Sequence, residues 1–475
     1  MMNSVAGPRP HDRRWLAMIL LCLGELMIVL DTTIVNVALP SIREDLAFSE
    51  SALAWVVNAY MLTYGGFLLL GGRLGDLYGH KRAFLLGIAL FTLSSLGCGL
   101  AGTQAVLIIA RAVQGLGGAV VSAVALSLII DLFTEPAERA KAMGVFGFVC
   151  AGGGSIGVVA GGVLTNAFDW HWNFLVNLPL GIAVLLLSYR LLPADHQAES
   201  RPSLDVFGAL TVTTALLLAV YGIVNGNEAG WLSSQTLGLL AGSVMLLALF
   251  VVIEARVATP LMPLSLFRLR SVTIASLVGV QWSAAMFAWF FLSALYMQLV
   301  LGYSPLQVGL AFLPSNLLMA VFSLGLSARM VMRFGRRACI ASGMLIVTLG
   351  LALFAVAPVD GQFLVHVLPA MLLLGLGAGM ALNPVLLEAM SEVSPHESGL
   401  ASGMVNTAFM MGGALGLAVL ASVASSRTAA LLAGTMARLE ALTAGYNAAF
   451  LLGAMFAALA AALALLLRPE AATGN

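Results

Sequence analysis

Long apolar runs, broken at intervals by short segments of charge, glycine and turn residues, set the first expectation for this chain. They predict spans at about 15–39, 51–72, 82–102, 105–131, 141–165, 173–192, 205–225, 235–254, 272–300, 306–330, 338–357, 363–389, 399–423 and 447–467. Most reach the roughly twenty residues that a helix needs to cross the hydrocarbon layer. A spanning β-barrel would instead show segments of about ten residues with alternating polarity, and these runs do not alternate. Backbone groups in lipid must be satisfied internally, so the remaining choice is a helical bundle. Fourteen spans is an even number, which places both termini on one side.

Composition agrees with lipid as the solvent. Of 475 residues, 60% are hydrophobic and 9% charged, too few charges to clothe a soluble domain. The net charge of zero offers no argument for nucleic acid or an acidic partner. Cys22, Cys98, Cys150 and Cys339 lie in apolar runs without metal or redox spacing and read as small buried hydrophobes. The first run contains Glu25 and Asp31 and lacks a small-residue cleavage site, so a removable signal peptide is not expected. With the N-terminus inside, the inside segments hold all Lys and Arg residues except Arg43, Arg427 and Arg438 outside and Arg111 within a span. This positive-inside bias holds to the last loop and predicts a multi-pass protein of the cytoplasmic membrane with both termini cytoplasmic.

The chain repeats itself. Arg73, Gly79 and Lys81 after span 2 match Arg329, Gly335 and Arg337 after span 10, at an offset of 256. Gly115 and Gly117 of span 4 match Gly375 and Gly377 of span 12, at an offset of 260. Gly144, Gly153, Gly154 and Gly157 of span 5 match Gly403, Gly412, Gly413 and Gly416 of span 13, at 259. Spans 1–6 therefore recur as 9–14, with spans 7 and 8 inserted between. The expected division is 1–192 as an N-terminal six-helix bundle, 193–271 as the inserted helices with their linkers, and 272–475 as a C-terminal six-helix bundle.

Several segments together resemble the fourteen-helix drug:proton antiporter branch of the major facilitator superfamily. They are Leu30-DTTIVNVAL-Pro40, the loop from Gly72 to Arg82, Arg111-AVQGLG-Gly118 and Trp170-HWNFLVNLPL-Gly181, with Tyr296 to Pro314 and Gly399 to Thr407 in the second half. The resemblance implies an all-α integral membrane protein of the major facilitator fold: two six-helix repeats plus two inserted central helices, rocking about a site near the bilayer midplane. It implies proton-driven export of lipophilic, amphipathic or cationic drugs, with no cofactor beyond the proton gradient. Small lipophilic substrates, protons and membrane lipid are the expected partners, and the pattern is compatible with a monomer without specifying an oligomer.

Ionisable groups within spans are costly and mark function. Asp31, near mid-span and beside Thr32, Thr33 and Asn36, is the expected proton-coupling carboxylate; the alternative is a hydrogen bond to a neighbouring helix. Glu25 lies about 120° around the helix and roughly 9 Å along it from Asp31, so the two cannot share one proton. It either lines the cavity or pairs with another helix. Arg111 needs an acceptor, for which a carboxylate of span 1 is the obvious choice, and serves either coupling or as a pin between spans 1 and 4; Gln114 shares its face. In the family the matching arginine is linked to proton translocation.

Asn36, Gln114, Gln281, Trp282, Met286, Trp289, Phe290, Gln298, Asn406, Phe409 and Met410 are the expected substrate-cavity set, since methionine repacks and aromatic faces meet cations. Gly72, Arg73, Gly75, Asp76, Gly79, Lys81 and Arg82 form an expected conformational latch, whose partner the family places near Ser398. Met332 stands at the Asp76 position in the second half and makes the latch one-sided. Gly153, Gly154, Gly157, Gly161 and Gly162 allow close helix packing. The family's antiporter motif has proline where this chain has Val158, which keeps proton-coupled uptake as an alternative, beside export of one endogenous metabolite. Helix 4 likewise has Ala123 at a usual proline. No metalloprotease, nucleotide-binding or hydrolase motif argues for an enzyme. Glu254 and Glu388 fall at span ends and are expected to be solvated, and the segment near 424–446 to form a short surface helix.

Overall fold

The computed structural model describes residues 10–49, 52–133, 135–192, 205–257, 260–322, 326–393 and 398–468, and these are helical almost throughout. The first half comprises α1 (Pro10–Asp45), α2 (Trp55–Tyr78), α3 (His80–Gly99), α4 (Gln104–Leu132), α5 (Pro136–Ala167), α6 (Trp172–Leu175) and α7 (Asn177–Leu191). Then come α8 (Val206–Ala229) and α9 (Ser234–Arg256). The second half comprises α10 (Arg270–Leu295), α11 (Pro305–Val321), α12 (Ser327–Phe334), α13 (Arg336–Phe354), α14 (Leu368–Ala389), α15 (Ser398–Ala433) and α16 (Arg438–Ala464). Among the described residues twelve helical segments are long and apolar enough to cross a membrane, and Ile156–Ala167 and Pro305–Val321 are shorter apolar helices.

The helix starts are chemically marked. Thr103 caps α4 by accepting the Val106 N–H, Ser233 caps α9 by accepting that of Thr236, and Ser304 and Gln307 form a reciprocal capping box at α11. Gly79 (φ 97°) and Gly335 (φ 80°) make the corners α2–α3 and α12–α13, a conformation that an L side chain resists. These are the two glycines that the repeat equates.

Packing repeats as well. Gly117 of α4 lies against Gly87 and Phe91 of α3, as Gly377 of α14 lies against Gly343 and Val347 of α13. Gly153, Gly157 and Gly161 of α5 seat on α1, as Gly412 and Gly416 of α15 seat on Val280 and Ala284 of α10. Between lipid-exposed helices such close approach replaces the hydrophobic effect as the source of association. A side chain at Gly157 would strike Thr33 Oγ1 and lie 3.0 Å from the Leu30 carbonyl oxygen. Gly157→Val is therefore expected to cost about 1–3 kcal/mol by overpacking, read as a lower unfolding temperature in detergent; an unchanged temperature would mean that α1 and α5 separate freely.

The two halves meet along α5–α11 and α2–α15, while α8 and α9 pack on each other and α8 also touches α2 and α15. Gly162 comes within 2.7 Å of the Pro305 carbonyl oxygen and Gly309 within 2.8 Å of that of Val158, measured from the Cβ each lacks.

Two expectations are corrected. No separate surface helix occupies 424–446: α15 continues to Ala433 and α16 begins at Arg438, joined by a short turn. Glu254 and Glu388 are buried, 3% and 7% exposed, and each accepts a hydrogen bond. Glu388 accepts from Arg336 Nε at 2.7 Å, and Glu254 accepts the Met262 N–H at 3.0 Å. Beyond α14, Glu392 accepts the Ser271 N–H at the start of α10, which holds its carboxyl below the usual range, with Arg468 adding to the effect. A depressed folded-state pKa means stability that is present above the ordinary carboxylate pKa and lost as pH falls through the folded value. Glu392→Gln should thus lower the melting temperature at neutral pH and leave it unchanged in strong acid; a difference independent of pH would refute the charge-based reading.

Candidate functional site

Five helices bring polar groups together in the first half. Asp31 of α1 is fully buried and Arg111 of α4 is 1% exposed. Arg111 Nη1 donates to Asp31 Oδ2 and to Gln114 Oε1 (2.6 Å), and Arg111 Nε donates to the Val56 carbonyl of α2 (2.9 Å). Gln114 Nε2 donates to Asp31 Oδ1 and to Ser95 Oγ of α3, each at 2.7 Å. Asn177, the first residue of α7, donates from Nδ2 to Asp31 Oδ1 at 3.1 Å and to Ser95 Oγ at 3.3 Å. The guanidinium also lies over the rings of Tyr60 (4.5 Å) and Phe174 (5.6 Å).

The carboxylate thus accepts three side-chain donors, and the guanidinium has three acceptors and two aromatic faces. A buried pair persists only when its remaining hydrogen-bonding capacity is met in this way. A proton bound to Asp31 would remove the charge that opposes Arg111 and leave the other partners in place.

The two open questions about α1 receive geometric answers. The acceptor for Arg111 is Asp31. Glu25, 7% exposed, accepts from Ser122 Oγ of α4 at 2.8 Å and so is paired across helices. Gln114 belongs to the charge network rather than to an open cavity.

The other expected cavity residues divide. Asn36 turns its amide onto the Thr32 carbonyl of its own helix at 3.1 Å, and Gln298 donates to Val37 of α1 at 3.0 Å. Trp282 and Trp289, one face of α10 two turns apart, are buried, and neither indole N–H has a partner among the described residues. Trp282 packs on Phe409 of α15 (5.5 Å), Trp289 on Phe290 (4.4 Å) and Phe312 (5.7 Å). Met286 is buried between them, and Gln281, Phe290, Asn406 and Met410 are partly buried. Met410 lies against Gly65 of α2, at the seam of the halves. A recess of about 530 Å³ lies elsewhere, lined by Ala47, Trp55, Gln104, Tyr221 and Asn225 among others.

In the latch, Arg73 donates to the Pro260 carbonyl at 3.4 Å and Lys81 to the Leu192 carbonyl at 2.8 Å. Gly75 closes on His80, whose Nδ1 meets Asp131 Oδ2 at 2.8 Å. Gly72 faces Ala123 of α4, and Arg82 lies exposed in the first turn of α3. The side chains of Asp76 and Ser398 lie outside the described residues, as does that of Cys150. Of the α5 glycines, Gly154 faces Thr33 loosely and Gly162 faces α11, not α1.

Sequence reasoning missed Asn177, Ser95, Tyr60 and Ser122. Asn177 sat inside a quoted motif, Trp170 to Gly181, and an amide at the head of a span was its available signal.

These features define a multi-pass α-helical membrane protein with a charge pair buried among the helices of its first half. The chain belongs to the Major Facilitator Superfamily, whose sequence profile matches residues 21–417. It is 40% identical to the puromycin resistance protein of Streptomyces alboniger over 434 residues, covering 91% of this chain and 86% of that protein. It is 40% identical to the cephamycin export protein of Amycolatopsis lactamdurans (87% and 85% covered) and 36% to the lincomycin resistance protein of Streptomyces lincolnensis (87% and 85%). Among solved structures it superposes on the inward-open xylose transporter of E. coli with TM-score 0.62 at 16% identity, covering 97% of each chain. An auto-inhibited POT family peptide transporter gives 0.64 at 16%, covering 97% and 99%. At that identity the two structures share the fold alone.

Proposed function

We propose that this chain exports lipophilic, amphipathic or cationic antibiotics in exchange for protons, by alternating access of its two bundles in a cytoplasmic membrane with both termini inside. The observation that carries the reading is the Asp31–Arg111 pair, wholly buried and tied to Gln114, Asn177 and Ser95. The relatives named for puromycin and lincomycin resistance and for cephamycin export supply the direction and the class of cargo. We take α5 and α11 as the two spans beyond the twelve, making fourteen, with α8 and α9 as the inserted pair.

In this scheme a proton entering from outside neutralises Asp31, and Arg111 falls back on Gln114, Val56 and Tyr60. The change in helix packing around α1 and α4 then biases the halves. Trp282, Met286, Trp289 and Phe409 give the cargo an apolar wall, and the unshared indole N–H groups suit cargo carrying hydrogen-bond acceptors. Val158 favours a second reading, uptake by symport, because α5 continues without the proline of the antiporter motif.

The test is reconstitution in liposomes with a trapped pH dye and a panel of puromycin, lincomycin, a cephamycin and simple lipophilic cations. Proton movement opposite to that of a cargo supports antiport; movement in the same direction refutes it and supports symport.

A further inference from the structure

The α8–α9 pair stands apart from the coupling network, yet it buries two acids where its ends meet. Asp205, 4% exposed, caps α8 by accepting the Gly208 N–H through Oδ1 at 2.8 Å. Glu254, 3% exposed and in the last turn of α9, accepts the Met262 N–H through Oε2 at 3.0 Å. Each keeps one buried oxygen, Asp205 Oδ2 and Glu254 Oε1, without a hydrogen-bond partner among the described residues. Those two oxygens converge on the bare Cα of Gly208. A methyl group there would strike Asp205 Oδ2 and lie 2.9 Å from Glu254 Oε1.

Two carboxylates facing each other away from water cannot both keep their charge. Desolvation and like-charge repulsion penalise the second ionisation together. One proton between the facing oxygens relieves both penalties, since it supplies the missing donor and leaves a single negative charge on the pair. We propose that Asp205 and Glu254 form a second proton-binding site, holding one shared proton between Asp205 Oδ2 and Glu254 Oε1, distinct from Asp31.

The site is mechanically connected. Leu261, next to Met262, packs with Leu70 of α2 and Ala209 of α8. Pro260 accepts from Arg73 of the latch at 3.4 Å. Among the described residues, the charged groups facing the pair are its own two members, from α8 and α9, and Arg73 from α2, which reaches it through the linker; Arg256, two residues on, is exposed. While the proton is held, the linker at 260–262 is clasped against α2. Losing it as pH rises sets two negative charges against each other and loosens the segment that Arg73 grips. This site does not depend on the identity or direction of the cargo.

The test is pH-difference infrared spectroscopy of the full chain in lipid nanodiscs, following exchangeable protonated-carboxyl absorption. A Glu25→Gln background removes the buried acid of α1 whose partner, Ser122, carries no charge. In that background one protonated-carboxyl component should remain at neutral pH and vanish in alkali. Asp205→Asn and Glu254→Gln should each remove it, because the proton belongs to the pair. Gly208→Ala, which keeps both acids and wedges them apart, should shift or abolish it. Absence of the component from the background protein overturns the proposal without requiring any further variant to fold. Its loss in only one of the two acid variants overturns sharing, since the proton would then sit on a single carboxyl.

Discussion

Asp31→Asn should abolish cargo-driven proton movement, by about 10²-fold or more, the scale on which a positioned proton-transfer group contributes. The substitution preserves shape. An asparagine Oδ1 still accepts from Gln114 and Asn177, so the polar junction of α1, α3, α4 and α7 keeps most of its bonds. What it loses is the ability to take up and release a proton, and the negative charge opposite Arg111. Arg111 retains Gln114 Oε1, the Val56 carbonyl and the Tyr60 face, so the protein should still insert and elute as a folded species. Downhill movement of cargo without protons would survive if alternation itself is intact. The measurement is the trapped-dye assay on wild type and variant in parallel. Full proton-driven transport of every cargo by Asp31→Asn would remove Asp31 from the coupling role.

That pair was the most legible part of the site, for a physical reason. A charge inside a span demands a partner, and few can be offered, so Arg111 points to a carboxylate of span 1 from the sequence alone. Amides make weaker demands. Asn36 donates to the Thr32 carbonyl of its own helix and Gln298 to the Val37 carbonyl of α1, so each amide has an acceptor within the protein. Apolar positions were the least legible. In water, hydrophobic periodicity separates core from surface; in lipid both faces of a helix are apolar. Leu277 and Trp282 of α10 look alike in the pattern, yet one is 46% exposed and the other 8%.

Glycine carried more information than the hydrophobic residues did. The offsets that equated Gly117 with Gly377 and Gly157 with Gly416 correspond to repeated backbone contacts, because only a residue without Cβ permits them. The sequence could not show that Asp205 and Glu254 meet, since they are some fifty residues apart and the contact depends on how α8 folds back on α9.

Removing Arg111 should have the second largest effect, and it separates a structural pin from a coupling partner. Arg111→Ala strands a fully buried Asp31 carboxylate beside Gln114 and Asn177, which supply dipoles but no counter-charge. Breaking a buried pair in this way costs about 3–5 kcal/mol, so the variant should melt much lower or express poorly, or recover only when Asp31 takes a proton. Replacing both members by apolar groups of similar volume is often neutral or stabilising. Asp31→Leu with Arg111→Met should therefore regain most of the lost stability. If the pair is only a pin between α1 and α4, the double variant should also regain proton-linked transport; if it is the coupling element, transport should stay absent in a protein as stable as wild type. Arg111→Lys sharpens the distinction. A lysine keeps the charge but cannot serve Asp31, Gln114 and the Val56 carbonyl together from a planar fork. Stability close to wild type with impaired proton exchange would show that the geometry of the fork matters as well as its charge. Full activity of Arg111→Lys would reduce Arg111 to a simple counter-ion and leave Asp31 as the group that carries the proton.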